Sequence, residues 1–368
     1  MKKYLKPCFF DEFSCVAKKC RYTCCASWDI PVDDVTAKKY KELNIKLTDK
    51  KHMPLDENGR CSALREDGYC DIVCKYGEKC LSYTCDFFPR TAVENDEYIE
   101  LCLDNGCQGV LEMLMEQKGH TFFLDCDTYE KNIILDKISD KKNYYIRDFV
   151  IDLLQVEGYS LWTKLFAAYK FIEKNYDKIF SVVKDNAERY YDSSYLSSVL
   201  EAINNVDLDF AVAISYKGDM LVKTSGDTKS DIIYNKHIYR IVNYINEAEI
   251  KTIMGSWDEY NKCMHKYDYY FENYVVNSVY KNMVPSDNRE KIKNNCEVIL
   301  LEISMLYFSC YIYWIMNEKN ISRETIIDIS GYYARIMEHN KIFCSEFINR
   351  QRKHGNISAG VFYMLLKA

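Results

Sequence analysis

Proline is scarce and unevenly placed: Pro7, Pro31, Pro54 and Pro89 precede residue 90, and only Pro285 follows. The last three quarters of the chain are therefore free to form long helices. No glycine-rich loop follows a predicted strand, which excludes a doubly wound nucleotide-binding arrangement as the home of a cofactor. Basic surplus is also missing. The net charge is -6 with a pI near 5.7, too acidic for a chain whose main partner is a phosphate backbone, so no nucleic-acid partner is expected. Histidine is rare as well, at six residues. Behind the lysines of Met1–Pro7 no apolar stretch follows, so no export signal is expected and the compartment should be the reducing cytoplasm.

One apolar run, Val298 to Met316, has about the length a bilayer requires. Glu302, Ser304 and Ser309 interrupt it, and three tyrosines and a tryptophan lie inside it rather than at its flanks. That pattern predicts a buried core helix, with no membrane partner. With 368 residues at 48% hydrophobic content, the chain can bury one large core or two smaller ones. We expect two domains, 1–130 and 131–368. The fold class should be mainly α, with a small, irregular, hairpin-containing, cysteine-rich N-terminal domain and a larger helical C-terminal one.

What the chain has in excess is cysteine. Of 17, thirteen precede residue 127. The last four, Cys263, Cys296, Cys310 and Cys344, sit among apolar neighbours and read as small buried hydrophobes. Clustered thiols in a reducing compartment read as metal ligands rather than disulfides. Cys20-x3-Cys24-Cys25 places three thiols within six residues, and Cys15, Cys61, Cys70, Cys85 and Cys107 can return to them. An iron–sulfur cluster and a structural zinc each need four ligands, so the supply exceeds one site. Adjacent Cys24 and Cys25 point in different directions if extended, and serve either two centres or one centre and a structural role. Paired C-x2-C knuckles are absent and only His52 and His120 lie nearby, which favours iron–sulfur over zinc. Ser27 stands where a C-x3-C-x2-C radical loop needs its third thiol.

Cys61 to Cys70, with Asp67-Gly68 between them, predicts a hairpin, and Thr91 to Leu101 predicts a second one turning at Glu94 to Asp96. Tyr159–Phe171, Tyr190–Ile203 and Tyr270–Tyr280 carry helical periodicity, as do Ile326, Ile329, Tyr333, Ile336 and Phe343 behind an N-cap at Ser322. The exception is Phe210 to Thr224, where Lys217-Gly218-Asp219 separates two Val/Ile/Leu-rich runs and predicts a third hairpin.

Taken together, Phe13-Ser14-Cys15-x4-Cys20-x3-Cys24-Cys25-x2-Trp28-x-Ile30, Cys61-x2-Leu64-x3-Gly68-x-Cys70-x-Ile72, Gly77 and Thr84-Cys85-x3-Pro89-Arg90 resemble the flagellin lysine-N-methylase (FliB) family. Glu272-Asn273-Tyr274-x2-Asn277 and Arg335-x2-Glu338-His339 resemble its helical second half. The chain departs from the family at Cys107-Gln108-Gly109, where Cys-Pro-Glu is more usual. The resemblance implies methyl transfer from S-adenosylmethionine to flagellin lysines, with a [4Fe-4S] cluster in the cysteine-rich part. A broader resemblance, to short proteins with a CxxxxCC-type chelating module, covers only the N-terminal pattern. It implies the alternative of a non-enzymatic zinc- or iron-chelating protein with a helical interaction domain.

Such a reaction needs a neutral lysine amine, whose ordinary pKa is about 10.4, and a base or dry pocket to deprotonate it. Aromatic walls would stabilise the sulfonium and methylammonium cations; the 32 tyrosines offer many. Without a nucleotide-binding loop, two readings of the cluster stay open: an iron that chelates the cofactor's amino and carboxylate groups, or a purely structural staple. Arg335, Glu338 and His339 share one helix face by their i, i+3, i+4 spacing. Arg335 would bind a carboxylate and Glu338 or His339 take the lysine proton. The competing reading is a solvated or internally paired polar face. Trp28 and Arg90, beside the thiols, read as support for the cluster sulfurs.

Overall fold

The computed structural model describes residues 2–26, 28–129, 133, 136–137, 141–225, 232–248, 253, 255–283, 290–339, 341–355 and 357–367. The predicted boundary near residue 130 lies outside the described residues.

In the first part, β1 (Lys3–Pro7) is followed by a long irregular stretch holding three short helices, α1 (Asp34–Glu42), α2 (Asp71–Tyr76) and α3 (Tyr83–Phe87). Then come β2 (Arg90–Glu94), β3 (Tyr98–Leu103), α4 (Gln108–Glu116), β4 (Phe123–Cys126) and β5 (Asp136–Lys137). The strands form one sheet in the order β4-β1-β3-β2-β5. β1 runs parallel to β3 and antiparallel to β4, while β2 and β3 form the predicted hairpin. Asn95 makes its turn: the side-chain oxygen accepts from the Glu97 and Tyr98 amides at 2.8 and 2.6 Å. The other hairpin, Cys61 to Cys70, is reduced to isolated bridges at Leu55–Cys61 and Leu64–Cys70. Its turn does close, through Gly68 at φ +83° and an Arg65 amide bonded to the Tyr69 carbonyl at 2.9 Å.

The second part is helical throughout the described residues, as the periodicity predicts. Its elements are α5 (Lys141–Leu154), α6 (Leu161–Asn175), α7 (Phe180–Glu188), α8 (Ser193–Asn204), α9 (Phe210–Ser225), α10 (Ile232–Glu247), α11 (Trp257–Met264) and α12 (Asp268–Asn282). After them come α13 (Lys291–Met316), α14 (Arg323–His339), α15 (Lys341–Lys353) and α16 (Ala359–Lys367). Ser322 caps α14, its hydroxyl accepting from the Thr325 amide at 3.2 Å. The apolar run lies in α13, where Ile299 through Ile312 are buried without a break. By length and composition α13 could cross a bilayer, but 83% of its apolar window is covered by the protein itself.

The hairpin predicted at Phe210 to Thr224 does not exist. α9 runs through Lys217-Gly218-Asp219 because Ala213, Ile214, Lys217, Met220 and Leu221 recur at helical spacing and are all buried. A lysine in that stripe disguises the period.

The larger apolar core takes in α4, the end of β3 and the helices, from Phe9 and Phe10 through Leu101 to Leu366. A second, smaller core of Ile30, Val32, Tyr40, Met53, Cys61, Ala63, Ile72 and Cys80 serves the irregular stretch alone. α12 presents an unusually polar buried face to the first part. Asn277 donates to the Leu103 carbonyl and to Asn105 Oδ1, both at 2.7 Å, and accepts from the Cys102 thiol at 3.2 Å. Asn273 accepts from Thr121 at 2.7 Å, and Glu272 pairs with buried Lys164 at 2.8 Å and with His120. Nearby, Arg147 grips buried Glu100 with two bonds of 2.6 and 2.8 Å, and its guanidinium lies 4.8 Å from the rings of both Tyr144 and Tyr280.

Lys217 is 1% exposed, with its amine 4.8 Å from the Trp257 ring and 5.7 Å from that of Phe308. Burial pulls its pKa down to about 7. Between that value and the ordinary lysine range the unfolded chain binds the extra proton, so this side chain costs most stability near and below neutrality and nothing at high pH. Lys217→Met should therefore raise the melting temperature at pH 6.5 by at least about 2 °C, with the gain shrinking toward pH 9.5. Parallel melting curves at the two pH values check this; an unchanged or lower melting temperature at pH 6.5 refutes it.

Candidate functional site

The thiol-rich stretch lies against α4 on one side and α14 on the other, and each anchor is a specific contact. Tyr22 is pressed onto α14 where Gly331 removes the obstacle: a Cβ there would stand 2.7 Å from the Tyr22 ring. The Tyr22 hydroxyl donates to the Ile327 carbonyl at 3.2 Å. Arg21 Nε donates to Asp328 at 2.8 Å, and the Arg21 amide to the Gln108 side chain at 2.6 Å. Gln108 thus ties the Cys20 segment to the start of α4. This is the local use made of the residue at which the motif departs from Cys-Pro-Glu.

Arg335 lies inside this junction. Its guanidinium donates to the carbonyls of Thr23 and Ala26 at 3.0 and 3.3 Å, on either side of Cys24-Cys25, and sits 4.6 Å from the Trp28 ring. Of the two readings of the Arg335 face, the internally paired one describes this side chain. The side chains of Glu338 and His339 lie outside the described residues. Trp28 packs edge-on against Phe88 at 4.8 Å, and Arg90 lies 5.1 Å from the Phe13 ring, beside Cys15.

Of the eight thiols singled out by spacing, Cys25, Cys61, Cys70 and Cys85 share the smaller apolar core, together with Cys80, and a charge on Cys25 is felt by Cys61, Cys70 and Cys85. The Cys61 amide donates to the Cys25 carbonyl at 2.7 Å. Cys107 feels Cys20 and Cys15, while Cys24 feels Cys25, Cys107 and Cys85 and so links the two groups. Cys15 is exposed, whereas Cys61 is buried. Burial pushes the thiols of Cys20, Cys61 and Cys85 up to about 11 and that of Cys107 up to about 12, and raises Cys70 as well. Cys24 and Cys25 share a hydrogen bond that raises the first and lowers the second, with the Thr23 hydroxyl and the Arg335 charge also favouring a Cys25 thiolate. The remaining early cysteines point elsewhere: Cys80 donates to the Tyr76 carbonyl, Cys102 to Asn277 and Cys126 to the Thr128 carbonyl.

Among the described residues, no three His, Cys, Asp or Glu side chains converge closely enough to hold a metal ion. The donor type, all sulfur, is the kind that suits a soft metal or an iron–sulfur centre.

A cleft of about 580 Å³ opens beside the Cys15 segment, walled by Ser14 and Val16, by α4 from Gly109 to Glu116, and by the start of α14. A smaller one of about 270 Å³ lies at the Asn95 turn and α5.

The FliB lysine N-methylase C-terminal domain model matches residues 147–365. The chain belongs to this family. A lysine-N-methylase of Salmonella typhimurium is 25% identical over 199 residues, covering 50% of this chain and 49% of that protein. A lysine-N-methylase of Salmonella choleraesuis matches to the same extent. The flagellar biosynthetic protein FliU of Salmonella muenchen is 26% identical over 157 residues, 38% of this chain and 93% of that protein. The chain thus spans about half the length of the lysine-N-methylases it matches. No solved structure matches it. The family match covers the helices, including Arg335, and stops short of the thiols.

Sequence reasoning marked Gln108 only as a departure from the family pattern and passed over Tyr22 and Gly331. The one available signal was an isolated glycine inside a helical period, which marks close approach. Gly331→Ala should undock the Tyr22 segment, because the methyl group has no room, at a cost of about 1–3 kcal/mol. Faster reaction of Cys24 and Cys25 with a thiol reagent, against unchanged Cys74, is the expected readout. Unchanged rates would show that the contact does not hold the segment.

Proposed function

We propose that this protein transfers methyl groups from S-adenosylmethionine to lysine side chains of flagellin. In this reading a [4Fe-4S] cluster is held in the cytoplasm by the cysteine-rich part, residues 1–130, and the helical part, residues 131–368, contributes to cofactor and protein-substrate binding. Family membership supports the methyl-transfer class, and the names of the relatives, lysine-N-methylase and FliU, support a flagellar substrate.

The observation that supports the metal assignment is the gathering of Cys25, Cys61, Cys70 and Cys85 in the smaller core, next in the chain to Cys24 and to the Cys15–Cys20 segment. All-sulfur donors are the kind that a cluster or a structural zinc takes. When bound, a cluster on these thiolates would supply a Lewis-acidic iron. The chain's own task is to exclude water around the acceptor lysine, hold its nitrogen in line with the methyl group, and keep the amine neutral.

Anaerobically purified protein should be brown and carry iron with acid-labile sulfide. Single serine substitutions at Cys20, Cys24, Cys61, Cys70 or Cys85 should lower the iron content, whereas those at Cys263, Cys296, Cys310 and Cys344 should not. Colourless protein with stoichiometric zinc would favour the alternative of a chelating protein with a helical interaction domain.

Flagellin incubated with the loaded protein and S-adenosylmethionine should gain mass in steps of one methyl group on lysine. The rate should rise with pH until the acceptor amine or its base is deprotonated. Protein that binds the cofactor yet leaves flagellin unmodified would overturn the substrate assignment alone.

A further inference from the structure

The larger cleft has a charge pattern that neither the family match nor the thiol motifs assign. Its wall carries Glu112 and Glu116 from α4, Arg323 and Glu324 from α14, Arg21 and Glu12, four carboxylates against two guanidinium groups. Gly109 of α4 packs against the Cys15 segment, where a Cβ would stand 3.2 Å from the Phe13 ring. The floor includes Met113, Met115 and Ile327. At about 580 Å³ the volume falls inside the roughly 300–1,000 Å³ usual for small-molecule sites, and the cleft at the Asn95 turn falls below it.

The two arginines differ in how firmly they are held. Arg21 is committed: its Nε–Asp328 bond of 2.8 Å docks the thiol segment, and Glu112 lies 3.8 Å from its Nη1. Arg323 Nη2 donates to the Met115 carbonyl at 3.3 Å and pairs with Glu116 on the surface, the two side chains being 43% and 69% exposed. Such a pair contributes little and opens at small cost, leaving a forked donor for an incoming carboxylate. Glu324 is held below the usual carboxylate range by its own amide and the Ser322 hydroxyl, so it stays charged. Glu112 accepts from Gln108 Nε2 at 2.7 Å and is thereby fixed in direction.

An occupant matching this wall carries one carboxylate and more than one positive charge on a small, partly apolar body. We propose that the cleft binds S-adenosylmethionine, with the amino-acid carboxylate on Arg323 and the sulfonium facing the Glu112 side. The placement rests on the methyl-transfer reading above and adds the donor's seat. It also sets the donor beside the Cys15 segment, whose neighbours Ser14 and Val16 line the cleft.

The test is equilibrium binding of S-adenosylmethionine, and of its neutral thioether product S-adenosylhomocysteine, to the full-length anaerobic protein by calorimetry. Wild type should bind the sulfonium form more tightly than the thioether. Glu112→Gln should weaken S-adenosylmethionine about tenfold, the scale of one charge-assisted interaction, with little effect on the thioether. Arg323→Met should weaken both equally. A Glu188→Gln control, exposed on α7 and absent from the cleft wall, should change neither, and melting curves verify that each variant is folded.

If wild type binds the donor and both cleft variants bind it undiminished, the seat is elsewhere and this inference falls while the methyl-transfer reading stands. If the variants leave donor binding intact but raise the KM for lysine substrate, the cleft belongs to the acceptor and the inference is likewise overturned. No binding by iron-loaded wild type would overturn both.

Discussion

A buried guanidinium must find acceptors for its donors, and Arg335 finds them in the two carbonyls that bracket Cys24-Cys25. That requirement organises the rest of the site. With Thr23 and Ala26 fixed to α14 and Trp28 lying under the cation, the two adjacent thiols have little freedom to rotate together. One faces the apolar core around Cys61, and the other faces Cys107. Both Arg335 bonds come from the same nitrogen, Nη2, while the planar face of the guanidinium is what stacks against Trp28. Tyr22 against Gly331 and Arg21 against Asp328 extend the same seam along α14, so a helix of the family domain supplies the surface on which the cysteine-rich stretch is shaped.

Much of this was legible from spacing. Spacing set Cys15, Cys20, Cys24, Cys25, Cys61, Cys70, Cys85 and Cys107 apart as candidate ligands; the fold brings Cys25, Cys61, Cys70 and Cys85 into the smaller core together with Cys80, which spacing had set aside. Helices such as α6, α8 and α12 announced themselves by an apolar stripe of the right period. Arg335 was visible as part of a polar i, i+3, i+4 face, but whether such a face meets water, substrate or the protein's own carbonyls depends on what lies 300 residues away in sequence. No local pattern carries that information. α9 was misread for a related reason: a lysine in a core stripe, flanked by glycine and aspartate, reads as a turn unless the aromatic chamber of Trp257 and Phe308 is known.

The polar face of α12 teaches the same lesson in energetic terms. Glu272, Asn273 and Asn277 stood out as a motif without a visible purpose. In the fold they satisfy backbone and side-chain groups of β3 and of the loop after α4, where an apolar helix would leave buried carbonyls unpaired. Their role is to let a small sheet and a large helical bundle share one interior. That interface is directional, and hydrogen-bond geometry fixes its register in a way apolar contact alone would not.

The position of β1 has a consequence for how the chain survives damage. The strand sits inside the sheet, between β4 and β3, and its parallel pairing with β3 joins Lys3 to Tyr98 and Leu5 to Glu100. Nearly everything that bears the eight thiols is therefore one long excursion leaving the sheet at β1 and returning at β2 and β3. Loop-closure entropy grows only with the logarithm of length, about 0.6 kcal/mol for each doubling. An excursion that loses its internal order thus adds little to the cost of closing the sheet. Oxidation or stripping of the thiols would loosen the excursion and leave the bundle standing, so the molecule can lose its reactive layer and still be a folded scaffold on which that layer is rebuilt.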